Sequence, residues 1–395
     1  MLRSLKNSNF RLFFIGQTIS YTGTFIQMTT LPWLIYRVSG SSILLGMVGF
    51  LSQIFILFLS PVAGAIADHF DRRKLIILTQ ALLMIQALIL AYLTIMNYIE
   101  VWHILSLTAF MGIINALDMP ARQSLVADMV EKKDLMNAIG LNSLVLNTGR
   151  MIGPAIAGIL ISVYGEGFCF LINGISFIAV LFAIILIKPL WKSVEYVKES
   201  FFKKILSGIS YTKTHPNISV ALILLTISGF LTGFPIILMP VIVKDIYLMD
   251  ASGLGIFMGA MGAGALFGAI TMVSKKDTSG IKKIIFGSAV SFAVLVIIFA
   301  LIKNFFIAII ILVALGYLGF LHIGFSNTFI QLETSNAMRG RVMSFFVMSF
   351  MGFVPIGSLI AGFLSDKTDA QTAITTGGVF ALILMLACCA KRFLK

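Results

Sequence analysis

Apolar residues in this chain come in long runs, with polar residues gathered between them. Twelve runs are long enough, or nearly so, to cross about 30 Å of hydrocarbon as helices. They are Leu12–Tyr36, Ser42–Ala67, Leu75–Asn97, Trp102–Met119, Asn137–Tyr164, Gly167–Ile187, Ile218–Val243, Gly253–Val273, Ile281–Ile302, Phe305–Ile330, Val342–Leu364 and Thr372–Ala390. None alternates as a membrane β-strand would. The first run is read as a span, because it is too long for a cleavable leader and lacks a small-residue cleavage site. The pattern predicts an all-α membrane protein of twelve transmembrane helices.

The only long polar insert, Lys188–Asn217, divides the chain. It predicts a six-helix bundle over 1–187, a linker over 188–217 and a second six-helix bundle over 218–395. The halves align with each other. One offset of 204 pairs Gly64 with Gly268, Gly112 with Gly316, Gly153 with Gly357 and Gly158 with Gly362. An offset of 208 pairs Thr18-Ile19-Ser20 with Thr226-Ile227-Ser228, and Pro32 with Pro240. Such parallel repeats build transporters with a site near the membrane midplane. Within the insert, Phe201, Phe202, Ile205, Leu206 and Ile209 share one helical face and Lys203, Lys204, Ser207 and Ser210 the other. That pattern predicts an interfacial helix on an anionic leaflet.

Composition agrees. The chain is 59% hydrophobic and 11% charged, against about 25% charged in soluble domains. The net charge of +13 is explained by topology rather than by nucleic acid. With both termini inside, the outside loops hold only Arg37, Lys244, Lys303 and Lys367, and Arg150 falls within a span; the other cations lie inside. Cys169, Cys388 and Cys389 all fall in apolar spans and form no disulfide framework. Asn217-Ile218-Ser219 matches a glycosylation sequon but falls on the inner side. No zinc spacing, phosphate-binding glycine loop or nucleophile motif appears, so no metal, no cofactor and no enzymatic activity are expected.

The densest polar stretch is residues 64–75, GAIADHFDRRKL, between the second and third runs. It resembles the G-x-x-x-D-x-x-G-R-R-K loop of the major facilitator superfamily through Gly64, Asp68, Arg72, Arg73 and Lys74, with Asp71 in place of the second glycine. Other blocks are similar to the family of bacterial enterobactin and macrolide exporters, the drug:proton antiporters. These are Ser20 and Gly23 in S-x-x-G, Arg150-x-x-Gly153-Pro154-x-x-x-Gly158 in helix 5, and Gly208, Tyr211, His215 and Pro216 before helix 7. Ala337-Met338-Arg339-Gly340-Arg341-Val342 stands before helix 11, with Ser335 where the family often has proline. The resemblance spans the whole chain. It implies the major facilitator fold, two pseudo-symmetric bundles and alternating access. It also implies a latch in which Asp68 faces the start of helix 11, near Arg339 and Arg341, with Arg72 and Arg73 beside it.

Several ionisable groups lie inside predicted spans, where each is a functional candidate. Asp118, about four residues from the end of helix 4, has three readings: a partner of Arg72 in the latch, the carrier of a coupled proton, or a contact for a cationic substrate. The repeat pairs it with His322, a second proton candidate or a histidine hydrogen-bonded within the bundle. Arg150 lies roughly 16 Å into helix 5 and meets either an anionic substrate group or neighbouring carbonyls. Gly153, Pro154 and Gly158 give helix 5 a thin face, for motion or for packing. Helix 1 is unusually polar, with Gln17, Thr18, Ser20, Tyr21, Thr22, Thr24, Gln27, Thr29 and Thr30, so part of it is expected to line a cavity. Gln53, Asn115, Asn142, Asn147, Tyr317 and Asn327 are lining candidates elsewhere. Helix 1 carries no carboxylate, so a proton is not expected to be carried there.

These readings converge on a secondary active exporter of a small amphipathic molecule, with the proton as coupling ion. The protein is expected in the bacterial inner membrane as a monomer in contact with lipids, both termini cytoplasmic. Siderophore export leads, with multidrug or macrolide efflux and lysophospholipid transport as alternatives. A membrane sensor or membrane-embedded enzyme is the reading from another class. A sensor calls for an appended soluble domain, and an enzyme for a catalytic polar cluster at one membrane face.

Overall fold

The computed structural model describes residues 3–69, 71–131, 134–187, 207, 210–275, 280–335 and 338–393, and within them the side chains outside 60–69, 127, 136 and 388–393. Among the described residues, thirteen α-helices follow one another. In the first half they are α1 Ser8–Ser39, α2 Ser42–His69, α3 Arg72–Ile95, α4 Val101–Asp128, α5 Leu135–Tyr164 and α6 Glu166–Leu186. In the second they are α7 Pro216–Val241, α8 Ala251–Ser274, α9 Ile281–Leu301, α10 Phe305–Glu333, α11 Arg339–Met351, α12 Val354–Lys367 and α13 Ala370–Phe393. No strand occurs among the described residues.

Among the described residues, eleven segments are long and apolar enough to cross a membrane, with Arg339–Lys367 counting as one. That segment was expected to be a single helix. It is two, α11 and α12, because Pro355 has no N–H to give to the carbonyl of Met351 and its ring crowds that carbonyl. The twelfth crossing is α1, too polar to qualify by hydropathy. It is 32 residues long and packs chiefly against α5 and α6, so its polar face turns inward. The chain is an all-α, twelve-crossing membrane protein.

The described residues form two compact units. The first is Met1–Gly40, Leu51–Tyr196 and Asp250–Gly255; the second is Ser41–Phe50, Val197–Met249 and Ile256–Lys395. In the first, α1 packs against α5 and α6 while α3 packs against α4 and α6. In the second, α7 packs against α12 and α13, and α9 against α10 and α13. The repeated glycines make matching contacts. A Cβ on Gly112 of α4 would strike the backbone of Leu51 in α2, and one on Gly316 of α10 would strike Met261 in α8. Gly153 lies against Phe25 of α1, and Gly357 against Phe230 of α7. Gly158 touches Gly255 within the first unit, and Gly362 touches Gly46 within the second. The repeat in the sequence is thus a repeat of close helix crossings, where only a missing side chain lets backbones meet.

In the loop read as a latch, the described side chains begin at Asp71. Asp71, where the family pattern has glycine, caps α3: its side chain accepts from the N–H of Arg73 at 2.9 Å and of Lys74 at 3.4 Å. A carboxylate there satisfies free N–H groups and suits the helix dipole. Arg73 donates to the carbonyls of Ile184 at 3.0 Å and Ile185 at 2.5 Å, capping the end of α6. Arg72 pairs with Asp128 at 2.6 Å and so joins the start of α3 to the end of α4. The pairing of Arg72 with Asp118 is therefore corrected. Helix α4 runs on to Asp128, which places Asp118 ten residues, about 15 Å, from that end.

Gly64 and Asp68 lie on α2, but their side chains fall outside the described residues, so their part in the latch stays an expectation. Arg341 donates to Ser207 Oγ at 2.6 Å. Most of the expected interfacial helix, and Gly208 of the motif before α7, also fall outside the described residues. In the rest of that motif Tyr211 and His215 stack 4.0 Å apart. The Tyr211 hydroxyl accepts from the N–H of Ser335 at 3.2 Å, tying the approach to α7 to the α10–α11 connection.

Candidate functional site

In the first unit, helices α1, α3, α4 and α6 enclose a cavity of about 50 Å³, room for a few waters or one carboxylate-sized group. Tyr21, Thr24 and Gln27 of α1 line it, with Gln86 of α3, Asn115 and Arg122 of α4 and Asn173 of α6; Leu83, Met111 and Phe177 supply apolar wall. The helical spacing explains the shared wall. Tyr21, Thr24 and Gln27 recur at three-residue steps on one face of α1, and Asn115 and Arg122 are two turns apart on α4.

At one end of this cavity lies a buried ion pair. Asp118 and Arg122 are 3% and 9% exposed. Arg122 donates Nε to Asp118 Oδ2 at 2.8 Å and Nη2 to the same oxygen. Asp118 Oδ1 accepts from Thr79 Oγ1 at 2.7 Å and Gln80 Nε2 at 2.9 Å. The guanidinium carbon of Arg122 lies 5.2 Å from the centre of the Tyr21 ring, within cation–π range. The other end is a chain of amides. Gln27 Nε2 donates to Gln86 Oε1 at 3.0 Å, and Asn173 Nδ2 to Gln27 Oε1 at 2.8 Å. Gln86 Nε2 donates to the Leu107 carbonyl at 3.3 Å, and Ser176 Oγ donates to Asn173 Oδ1 at 3.2 Å. Gly23 makes this possible, since a Cβ there would come within 2.8 Å of Asn173 Oδ1.

Of the residues singled out by sequence, the structure brings Tyr21, Gln27, Asn115 and Asp118 to this site. Gln17 is buried one turn before Tyr21, and both its amide atoms lack a hydrogen-bond partner among the described residues. Asn142, Asn147 and Arg150 lie on α5 and do not line the cavity. Asn147 bonds the Ser143 carbonyl at 2.8 Å, and Arg150 lies 5.9 Å from the Phe25 ring centre with no ion pair among the described residues. Gly153, Pro154 and Gly158 are buried within an unbroken α5. Tyr317 and His322 belong to the second unit, where His322 Nδ1 lies 3.1 Å from the Ile285 carbonyl. No cluster able to hold a metal occurs among the described residues.

The reading from sequence missed Arg122, Thr79, Gln80, Gln86 and Asn173. Helix 4 was ended at Met119, before Pro120, which moved Arg122 to the membrane rim. The i,i+4 spacing of Asp118 and Arg122 was the available signal.

Comparison with known proteins agrees on the family. The family described as transmembrane secretion effectors (MFS_3) matches residues 1–394. The staphyloferrin A transporter of Staphylococcus aureus (strain NCTC 8325 / PS 47) is 27% identical over 382 residues, covering 95% of this chain and 94% of the relative. The enterobactin exporter EntS of Shigella boydii serotype 4 is 22% identical over 379 residues, covering 95% and 89%. Among solved structures, a nucleoside transporter superposes with a TM-score of 0.77 at 13% identity, covering 97% of this chain and all of that one. A bacterial homologue of the lysosomal transporter Spinster gives 0.69 at 15% identity, covering 98% and 96%.

Proposed function

Since this chain belongs to the transmembrane secretion effector family of major facilitator transporters, we propose that it is a secondary active exporter of a siderophore, working by alternating access with a proton as the coupling ion. The observation that carries the reading is the small cavity of the first unit, into which the side chains of Gln27, Gln86, Asn115, Asn173 and Arg122 converge. Polar groups inside a membrane bundle are costly unless they serve a path or a site. Two siderophore transporters aligned over nearly the whole chain support the substrate.

In this reading the protein works as a monomer in the bacterial inner membrane with both termini cytoplasmic. Asp68 takes part in a latch between conformations, with Arg72 and Arg73 holding α3 in place beside it. Replacing Asp68 with Asn is expected to slow turnover while leaving the amount of folded protein unchanged. A normal transport rate in that variant removes the latch. The engaged geometry of Asp118, with four donors on its two oxygens, favours an anchoring role for it over direct contact with a cationic substrate.

Mass spectrometry of medium and cell extract from iron-starved cells, with and without the chain, tests the function. A siderophore that accumulates inside and vanishes outside in its absence supports export and names the substrate. Unchanged siderophores sink this reading and redirect it to drug efflux or lysophospholipid movement.

A further inference from the structure

We propose that Arg150, on the side of α5 turned away from its apolar stripe, receives a carboxylate group of the exported molecule. That the carboxylate belongs to an exported molecule rests on the export reading above; the pairing of Arg150 with an oxyanion does not.

Arg150 stands at the centre of the 30-residue α5, roughly 20 Å of helix from either end. Its side chain cannot snorkel that far to reach water beyond the bilayer. Nor does it share the apolar side of the helix. Between residues 140 and 163 the exposed large apolar side chains of α5 are Leu144, Ile152, Ile159 and Val163. With 3.6 residues per turn these four fall on one side, and Arg150 lies about 180° from the middle of them. Ser143 and Asn147 share the Arg150 side, at helical spacings of three and four. The Arg150 side chain is exposed there, on the polar side of a helix whose opposite side suits lipid.

The guanidinium is steadied without being neutralised. Its carbon lies 5.9 Å from the centre of the Phe25 ring on α1, a contact that attracts the charge but supplies no carboxylate. Gly149 and Gly153 let α5 come that close, since a Cβ on them would come within 3.0 and 2.5 Å of the Phe25 side chain. Among the described residues Arg150 makes no hydrogen bond and no ion pair. Arg122 is the contrast within the same unit, because Asp118 answers its charge. A guanidinium carries five N–H donors in one plane. In Arg150 they are free to take a carboxylate two at a time, in the geometry that favours arginine over lysine. A cation at this depth calls for a counter-charge, and the protein supplies none among the described residues.

The full chain, purified in a non-ionic detergent, is titrated calorimetrically with citrate and with its neutral trimethyl ester. Citrate is expected to bind at least about ten-fold tighter than the ester, the worth of one charge-assisted hydrogen bond. Arg150→Gln strands no partner among the described residues, so it is expected to keep the melting temperature and to erase the preference for citrate. Arg150→Lys keeps the charge but loses the fork, and is expected to fall between the two; it carries the test where the glutamine variant does not fold. Absent citrate binding by the folded wild-type chain, equal affinity for the ester, or a citrate preference that survives Arg150→Gln overturns the site. A lowered melting temperature in Arg150→Gln with equal loss of citrate and ester marks a structural arginine and overturns it too. Displacement of citrate by excess lysophosphatidylglycerol overturns the carboxylate in favour of a lipid phosphate. Citrate binding that depends on Arg150 without siderophore export sinks the export reading and leaves the site standing. Siderophore export that ignores Arg150→Gln does the reverse.

Discussion

In the first unit, α1, α3 and α4 bury a carboxylate, a guanidinium and the amides of glutamines at the heart of a membrane bundle. In the second unit, the positions at the 204-residue offset from Asp118 and Arg122 are His322 and Ser326, buried among Leu321, Phe325 and Phe329. Among the described residues the close helix crossings repeat between the units, while the buried ion pair does not. The scaffold is therefore duplicated and the chemistry is one-sided. A buried ion pair is a poor source of stability, because desolvating two charges cancels much of their attraction, and apolar replacements often do as well. Its presence in one unit alone is better explained by a task than by the need to fold.

The largest effect should come from splitting that pair. Arg122→Ala leaves Asp118 charged and buried without its partner, at a cost of about 3–5 kcal/mol, read as lost thermal stability in detergent. The double variant Asp118→Asn with Arg122→Gln should recover much of it, and Ser326→Ala in the second unit should change little. A small loss for Arg122→Ala would mean that the two interiors are energetically alike.

Next comes the amide chain. Gln27→Leu strands Asn173 Nδ2 and Gln86 Oε1, and each buried group left unpaired costs about 1–3 kcal/mol. His322→Leu, which removes a single contact to the Ile285 carbonyl, should cost less on the same melting assay. The reverse order would place the critical polar group in the second unit.

The shared scaffold gives a symmetric prediction. Gly112→Val and Gly316→Val each force a side chain into a facing backbone and should each destabilise by about 1–3 kcal/mol. Gly140, with nothing within 4 Å of its Cβ position, should instead gain up to about 1 kcal/mol as alanine. Unequal losses for the two valine variants would show that the crossings only look alike.

The smallest effect concerns acid. The side chains of Ser252 and Thr372 donate to Asp250 and Asp369 and hold each carboxyl below its ordinary value. Each therefore adds stability above that ordinary value, near 3.9, and loses it as pH falls through the lowered one. Both groups are exposed, so Asp250→Asn should flatten the acid limb of a melting-temperature profile only slightly. A change near neutral pH would contradict this assignment.

The fold was legible in the sequence because hydrocarbon imposes it. Every backbone polar group in the bilayer must be satisfied within its own helix, so run length and hydropathy expose eleven crossings, and the length of the polar run at α1 supplies the twelfth. The glycine spacing revealed the repeat because close backbone approach needs the absence of a side chain, a property local to each position. The polarity of α1 also forecast a cavity, since such a helix must turn its polar face from lipid. Tertiary structure alone decided which polar groups meet. Arg72 could have reached Asp118 or Asp128, and α4 could have stopped at Pro120 or passed through it. Both were settled by where α3 and α4 lie against each other, because an ion pair forms between neighbours in space and is invisible to composition. The site could be foreseen as a polar wall on α1, but its buried ion pair and its amide chain exist only once four helices are packed around one small space.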